Sequence, residues 1–362
     1  MRIAVLGVGL IGGSIGLAAR RRLDAEVVGW GRSPERLQRA VELGATDRVA
    51  GSLAEACEGA DLVFCCAPVA TLPQQAGEAL AAAGPETVVT DVGSTKGELV
   101  AALGEDERFI GGHPLAGAET AGVENAREDL FEGARWYLTP TERSSGVLYD
   151  RLQRAVSALG ARPQAIDPES HDRLMATVSH LPHVLANALA SEAAESLTQD
   201  SERLPDVGPS FRDATRVAGS NPAIWADIFA SNREAVAQSV DSAAERLRQA
   251  AELIRAGDRE ALAAWHGAAG DDRRRLLELE SEAGPLRELR IVVANKPGTI
   301  AELALALGEA GVNIEDMALY PAPDMTSGAV SVWVAGDEQA AKAKELVRRL
   351  GHTVTVVDAP GA

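Results

Sequence analysis

The sequence has few cysteines, a shortage of positive charge and no long hydrophobic run. Cys57, Cys65 and Cys66 lack the even number and spacing of a disulfide framework, and we interpret them as buried residues of apolar segments. The net charge of -18 excludes sequence-independent nucleic-acid binding, which needs a basic surface. No apolar stretch reaches membrane-spanning length, and the first residues show no charged leader or cleavage pattern, so we expect a cytoplasmic protein without a membrane partner.

The 362 residues predict a globular protein of two or three domains. Residues 1–167 alternate apolar runs such as RIAVLGVG and DLVFCCAP with helical segments, which predicts a Rossmann-type α/β domain with a parallel sheet. Residues 168–284 carry apolar residues at helical spacing and predict an all-helical domain. After the linker Gly284-Pro285, residues 285–362 predict a small domain with the order strand, helix, strand, strand, helix, strand.

A glycine-rich segment closes the first predicted strand and opens a helix. Glycine permits a tight turn and close backbone approach, so the helix N-terminus can hold a pyrophosphate on its unpaired N–H groups. The alternative is a glycine-rich turn at an ordinary strand-to-helix junction. We predict that a dinucleotide contacts Gly7, Gly9, Leu10, Ile11 and Gly12.

The second strand ends without the carboxylate that usually binds the adenosine ribose of NAD. The chain has Gly31 there, followed by Arg32 and Ser33. These two side chains offer donors to a 2′-phosphate, which favours NADP slightly over NAD. Alternatively, Arg32 and Ser33 only begin the next helix, with Ser33 as its N-cap.

Two polar segments follow later strands of the predicted sheet. Ser94, in DVGSTK, lies at the carboxyl end of one strand, where ligands of such folds gather, although it also suits a helix cap. His113, in FIGGHPLAGAE, follows the next strand and is expected at the same rim. Its ordinary pKa near 6.5 suits proton removal at neutral pH.

The predicted helical domain also concentrates polar residues. His171, His180 and His183 share one helical stretch, which Pro182 should kink and so free backbone groups. His180 and His183 could bind a metal, but no acidic or cysteine partner is near in sequence, so we predict no metal site and favour substrate contact or a structural hydrogen bond.

The segment FRDATRVAGSNPAIWADIF places two arginines in an otherwise apolar setting. Either Arg212 or Arg216 could grip a carboxylate bidentately. The alternative is an ion pair with Asp213 or Asp227.

The motifs VLGVGLIGGSIGLA, DVGSTK, GGHPLAGAE, SHLPH and FRDATRVAGSNPAIWADIFASN, in this order, resemble the prephenate dehydrogenase family over about residues 1–282. Residues 287–362 resemble an ACT domain, a ferredoxin-like βαββαβ module that binds amino acids; the matching elements are NKPGTIAEL and GVNIEDM. The resemblance implies oxidative decarboxylation of prephenate to 4-hydroxyphenylpyruvate in tyrosine biosynthesis, with hydride transfer to NAD(P)+.

The resemblance also implies roles for particular residues. His113 matches the catalytic histidine that accepts the 4-hydroxyl proton, and Ser94 matches the serine that orients it. Arg216 matches the arginine that binds a substrate carboxylate. The remaining matches, to pocket or gating positions, are His183, His171, Glu119 and Trp225.

The same resemblance implies a homodimer formed by the helical domains and feedback inhibition by tyrosine at the ACT domain. We expect tyrosine near Asn295, Gly298 and Asn313, the alternative being a module that only assists oligomerisation. Arogenate dehydrogenase, or an enzyme that accepts both substrates, stays open. So do two readings of another class: a β-hydroxyacid dehydrogenase or imine reductase, and an amino-acid and dinucleotide sensor without activity.

Overall fold

The computed structural model describes residues 1–117, 120–198, 207–280, 286–294, 296, 298–314, 316–321 and 327–357. The chain forms two compact units, Met1–Leu247 and Arg248–Ala362. Their division falls inside one helix, Arg233–Ala256, and the three-domain boundaries stay a prediction.

The first unit begins with strands and helices in alternation. They are β1 (Arg2–Leu6), α1 (Leu10–Leu23), β2 (Glu26–Trp30), α2 (Pro34–Glu42), β3 (Arg48–Val49), α3 (Leu53–Cys57), β4 (Leu62–Cys65), α4 (Leu72–Ala82), β5 (Val88–Asp91) and α5 (Gly97–Leu103). The five strands pair in parallel in the order β3-β2-β1-β4-β5. This confirms the Rossmann-type sheet.

Apart from Arg2, the central strands β1 and β4 are apolar throughout because helices cover both faces of the sheet. In β1, Ile3 and Val5 join one buried cluster, whereas Ala4 and Leu6 join the cluster on the opposite face. Cys57 and Cys65 are buried, as predicted, and Cys66 is half-buried just after β4.

A second, three-stranded sheet follows. Its elements are β6 (Gly111–Pro114), β7 (Arg135–Thr139), α6 (Gly146–Ala158) and β8 (Arg162–Ala165), with the strands in the order β6-β7-β8. The expectation that His113 lies in a loop after the strand was wrong, because His113 is inside β6 and opposite Tyr137 of β7. A parallel bridge between Val89 and Phe109 joins this part of the chain to β5, at the edge of the first sheet.

The glycine pair before His113 explains this close passage. A Cβ atom on Gly112 would lie 2.6 Å from the carbonyl oxygen of Asp91, and one on Gly111 would lie 2.4 Å from Oγ1 of Thr139. Only glycine lets β6 pass between the end of β5 and the strand β7.

Helices form the rest of this unit. They are α7 (Pro168–Met175), a π turn (Ala176–His180), α8 (Leu181–Thr198), α9 (Pro209–Thr215), a 3-10 turn (Arg216–Gly219), α10 (Pro222–Ser231) and α11 (Arg233–Ala256). The π turn immediately precedes Pro182, which has no N–H to continue the helical ladder, so the predicted interruption is confirmed. In the described part of the chain, no helix combines the length and apolar character needed to cross a membrane.

The second unit contains a four-stranded antiparallel sheet. Its further elements are α12 (Arg259–Glu280), β9 (Leu286–Ala294), α13 (Thr299–Glu309), β10 (Asp316–Pro321), β11 (Ser327–Ala335), α14 (Asp337–Arg349) and β12 (Thr353–Val357). The strand order is β10-β11-β9-β12, and the elements follow each other along the chain as predicted. Gly298 precedes α13 with φ of 91° and Asn313 is exposed, whereas Asn295 and the linker Gly284-Pro285 lie outside the described residues.

Candidate active site

The glycine loop between β1 and α1 has the backbone that a bound pyrophosphate requires. Gly7 has φ of 110°, and a Cβ atom on Gly12 would lie 2.2 Å from the carbonyl oxygen of Gly7. Gly9 is the residue before α1, and it has no side chain to cap the helix. A Cβ atom on Gly9 would meet nothing within 4 Å among the described residues. The space beside Gly9, at the start of α1, is open among the described residues, so the loop fits a dinucleotide phosphate.

A cleft of about 580 Å³ runs from this loop to the end of β2. Its lining includes Gly31, Arg32, Ser33 and Arg36. The Ser33 hydroxyl accepts a bond from the Arg36 N–H at 3.4 Å, so Ser33 caps α2 and also borders the cleft. Sequence reasoning missed Arg36, which lies in the first turn of α2.

The His113 side chain is the start of a buried chain of hydrogen bonds. Its Nδ1 lies 2.9 Å from Nε2 of His171, and Nδ1 of His171 lies 2.8 Å from Oδ1 of Asp172. The Asp172 carboxylate accepts further bonds from the N–H groups of Lys96, at 2.8 Å, and Gly97, at 2.7 Å. Burial, together with the neighbouring His171 ring and the Lys96 ammonium, holds the pKa of His113 well below its usual value.

His171 does not lie where a substrate-pocket residue should. It is fully buried, both ring nitrogens have partners, and the edge of its ring meets Tyr137 at 5.6 Å between centroids. The structure therefore corrects the expectation that His171 lines the substrate pocket, because its ring bonds to His113 from the buried side.

A buried ion pair fixes the backbone next to His113. The Lys96 ammonium bonds to the Asp91 carboxylate and donates to the Gly112 carbonyl at 2.8 Å. Asp91 also accepts the N–H of Gly112, at 2.9 Å, and of Gly93, at 2.7 Å. Both side chains are fully buried, so the end of β5 and the start of β6 are tied together beside His113.

The helical part of the same unit brings together several of the other predicted residues. The His183 ring stacks on Trp225 with 3.4 Å between centroids, and its Nε2 lies 3.4 Å from the Ser220 hydroxyl. Burial lowers the pKa of His183; the bond from its Nδ1 to the Ser179 carbonyl raises it, and the charge of Arg216 lowers it. Arg216 begins the 3-10 turn and is exposed.

His180 turns away from His183. It is buried, its Nδ1 lies 3.3 Å from Nδ2 of Asn232, and the edge of its ring meets Trp225. Asn232 also donates to the Asp172 carbonyl at 2.8 Å. Within the described residues, no three His, Cys, Asp or Glu side chains are grouped to hold a metal ion.

Two predicted residues remain, Ser94 and Glu119. Ser94 is half-buried between β5 and α5. The bond of the His113 ring described above goes to His171, so the orienting role of Ser94 stays a prediction. Glu119 lies outside the described residues.

Two family models match the chain. The one described as "Prephenate dehydrogenase, nucleotide-binding domain" matches residues 15–164, and "Prephenate dehydrogenase, dimerization domain" matches residues 167–267. Among curated proteins, prephenate dehydrogenase of Bacillus subtilis (strain 168) is 30% identical over 354 residues, with 95% of each chain covered. Cyclohexadienyl dehydrogenase of Zymomonas mobilis is 32% identical over 246 residues, which cover 66% of this chain and 83% of that protein.

Solved structures of prephenate and arogenate dehydrogenases are also similar to this chain. Prephenate dehydrogenase from A. aeolicus, in complex with hydroxyphenyl propionate and NAD+, is 33% identical with a TM-score of 0.70, covering 76% of this chain and 98% of that one. Arogenate dehydrogenase from Synechocystis is 28% identical with a TM-score of 0.67, covering 76% of this chain and 100% of that one.

Proposed function

The chain belongs to the prephenate dehydrogenase family of NAD-dependent oxidoreductases, and on that premise we propose that it converts prephenate to 4-hydroxyphenylpyruvate for tyrosine synthesis. Family membership sets aside the β-hydroxyacid dehydrogenase, imine reductase and sensor alternatives. The observation that carries the proposal is the position of His113, buried beside the end of the parallel sheet and backed by His171 and Asp172.

We assign the proton transfer to His113 and substrate binding to the helical part of the unit. His113 accepts the proton of the substrate's 4-hydroxyl group. A dinucleotide held by the glycine loop between β1 and α1 would supply the acceptor for the hydride of the carbon that bears this hydroxyl, and loss of the ring carboxylate as CO2 would leave the ring aromatic. The guanidinium of Arg216 binds a substrate carboxylate, which gives local positive charge to a protein of net charge -18. We also assign His183, stacked on Trp225, to substrate binding. Ser94 keeps its predicted role of orienting His113, and Glu119 keeps its predicted role as a pocket or gating residue.

Steady-state kinetics of the purified protein test this function. Prephenate and arogenate are each assayed with NAD+ and with NADP+, because the two substrates differ only in a keto or an amino group. His113→Asn should lower kcat by about 100-fold or more, since general-base catalysis contributes that much, and should leave dinucleotide affinity unchanged. His266→Asn is the control, because His266 is exposed on α12. Full turnover by His113→Asn would remove His113 from the chemistry.

For the cofactor, we propose that NADP+ is used at least as well as NAD+. No carboxylate stands at Gly31 to repel a 2′-phosphate, and Arg32 and Arg36 line that part of the cleft. The A. aeolicus protein was crystallised with NAD+, so the preference needs its own test.

A carboxylate at position 31 provides that test. A Cβ atom on Gly31 would meet only Leu37 among the described residues, at 3.6 Å, so an aspartate fits. Gly31→Asp should raise KM for NADP+ by about tenfold or more and lower KM for NAD+, because it repels the phosphate and accepts from the ribose. Gly31→Asn, of the same size without the charge, is the control. A native enzyme that uses NAD+ tenfold better than NADP+ would contradict the proposal.

We further propose that residues 285–362, which belong to the second unit, are an ACT domain that binds tyrosine near Asn295, Gly298 and Asn313, and that the protein is a cytoplasmic homodimer. The order of its elements and the family model described as a dimerization domain support these two points. Tyrosine should inhibit the intact enzyme without competing with prephenate; purely competitive inhibition would place tyrosine in the active site instead.

A monomer mass by light scattering at micromolar concentration would contradict the dimer.

A further inference from the structure

The buried row of His113, His171 and Asp172 has a definite direction of hydrogen bonding. Asp172 lies at one end and receives two backbone N–H groups, from Lys96 and Gly97. A carboxylate that accepts from such donors is ionised and has no proton to give. The proton in its bond to His171, 2.8 Å long, therefore sits on Nδ1 of the histidine.

The protonation of His171 then determines that of His113. A neutral imidazole has one N–H and one acceptor nitrogen, so His171 with a proton on Nδ1 has a lone pair on Nε2. Only Nδ1 of His113, 2.9 Å away, can supply the proton for that bond. Nε2 of His113 is consequently the unprotonated nitrogen.

We propose that Asp172 and His171 are positioning residues that hold His113 in the tautomer with a free Nε2 and stabilise the charge His113 acquires when it takes the substrate proton. The inference rests on the proposed function. As the 4-hydroxyl proton bonds to Nε2 of His113, the Nδ1 proton shifts along its hydrogen bond towards Nε2 of His171, and the positive charge moves next to the Asp172 carboxylate. No proton is gained or lost by the row except the one from the substrate.

Asp172 is needed because the other groups around the row do not offer a negative charge there. Lys96 and His180 also lie near His113, and neither is negatively charged; the ammonium of Lys96 opposes protonation of His113. Tyr137 of β7 presents its ring to His171, and the carboxylate of Asp91 is occupied by Lys96 and two N–H groups. Asn232, between α10 and α11, donates to the Asp172 carbonyl and so anchors the Asp172 end of the row.

Asp172→Asn is the informative variant. In a serine protease, the corresponding exchange of the aspartate behind the histidine preserves the geometry and lowers kcat about 10⁴-fold through the wrong tautomer. Here we expect a fall in kcat of about 10²-fold or more, a prephenate KM within about threefold of native, and a shift of the acidic limb of kcat/KM to lower pH, because the imidazolium loses its counter-charge.

The matched control is Asp167→Asn. Asp167 caps the same helix, α7, through a bond to the Ser170 N–H, but it is exposed and outside the row. If Asp172 served only to stabilise α7, both variants would lower the melting temperature and neither would move the pH limb. An unchanged limb in Asp172→Asn, or the same shift in Asp167→Asn, overturns the proposal. His171→Gln is the second variant, because an amide can keep a bond to His113 without carrying the charge; we expect an intermediate kcat.

A readout without turnover separates this inference from the proposed function. The chain has only six histidines, so ¹⁵N NMR of the ring nitrogens can be assigned by single substitutions. At a pH above its pKa, His113 should carry its proton on Nδ1 in the native protein, and Asp172→Asn should shift the population towards the Nε2–H tautomer. If native His113 carries its proton on Nε2, the proposed positioning role of Asp172 and His171 is wrong, whether or not the enzyme turns over prephenate. Inactivity with both substrates and both cofactors would overturn the proposed function alone.

Discussion

Lys96→Met should be the most destabilising single exchange near His113. Native Lys96 is fully buried and bonds to Asp91 and to the Gly112 carbonyl. Methionine has a similar length and no charge, so the main change is the loss of the ammonium group. The Asp91 carboxylate would stay buried with two N–H donors, from Gly93 and Gly112, and no counter-charge.

The cost follows from this unpaired charge. Removing one partner of a buried ion pair destabilises proteins by about 3–5 kcal/mol, and two remaining hydrogen bonds place the expected loss near the lower end. The control is Arg154→Met, which breaks an ion pair with Asp150 on the exposed side of α6; it should change the free energy of unfolding by about 0.5 kcal/mol or less.

Urea unfolding followed by tryptophan fluorescence measures both variants. The sign of the pH effect is a second check, because a carboxylate buried without a counter-charge has a folded-state pKa above its unfolded value near 3.9. The loss in Lys96→Met should therefore be small below about pH 4 and grow as the pH rises through the folded-state pKa. Asp91→Asn combined with Lys96→Met should recover part of the loss. A loss below about 1 kcal/mol at neutral pH would refute the reasoning.

Local pattern was sufficient to predict the Rossmann-type sheet, the helical segment and the element order of the second unit. Apolar runs bounded by glycines, and the spacing of apolar residues in helices, are properties of neighbouring residues, so they can be read without knowing which elements meet. The interruption at Pro182 was predictable for the same reason, since a missing N–H acts within one turn.

The site network was not predictable in this way, because its bonds join residues far apart in sequence. His113 meets His171 from 58 residues away, and Asn232 reaches Asp172 from 60 residues away. No local pattern encodes either distance. His171 was therefore taken for a residue that contacts substrate, although its burial leaves it no exposed surface.

Lys96 illustrates a second limit. It lies in the DVGSTK motif, yet a lysine is almost never fully buried unless it is paired, and sequence alone gives no reason to place Asp91 and the Gly112 carbonyl around it. The assignment of His113 to a loop failed for a related reason. The glycines that suggested a turn in fact permit a strand to pass close to β5 and β7.

Two further variants test the helical part of the first unit. Arg216→Ala should raise the prephenate KM by about tenfold or more, because a charge-assisted bond to the substrate carboxylate is lost. The control Arg212→Ala, one turn earlier and exposed, should leave KM unchanged. An unchanged KM in Arg216→Ala would mean that Arg216 is structural. His180→Asn should flatten the pH dependence of stability. Burial lowers the pKa of His180 from 6.5 to about 4, so on acidification the unfolded chain binds a proton first. The contribution of neutral His180 to the free energy of unfolding should therefore be fully present above pH 6.5. It should fall by on the order of 3 kcal/mol as the pH drops from 6.5 to 4. The difference in urea-unfolding free energy between native and His180→Asn should shrink by that amount over the same range, whereas the exposed control His266→Asn should parallel the native curve. If the native and His180→Asn curves run parallel, His180 takes up its proton equally well in the folded protein. Its hydrogen bond from the Asn232 amide would then have to break, because a protonated Nδ1 cannot accept a hydrogen bond.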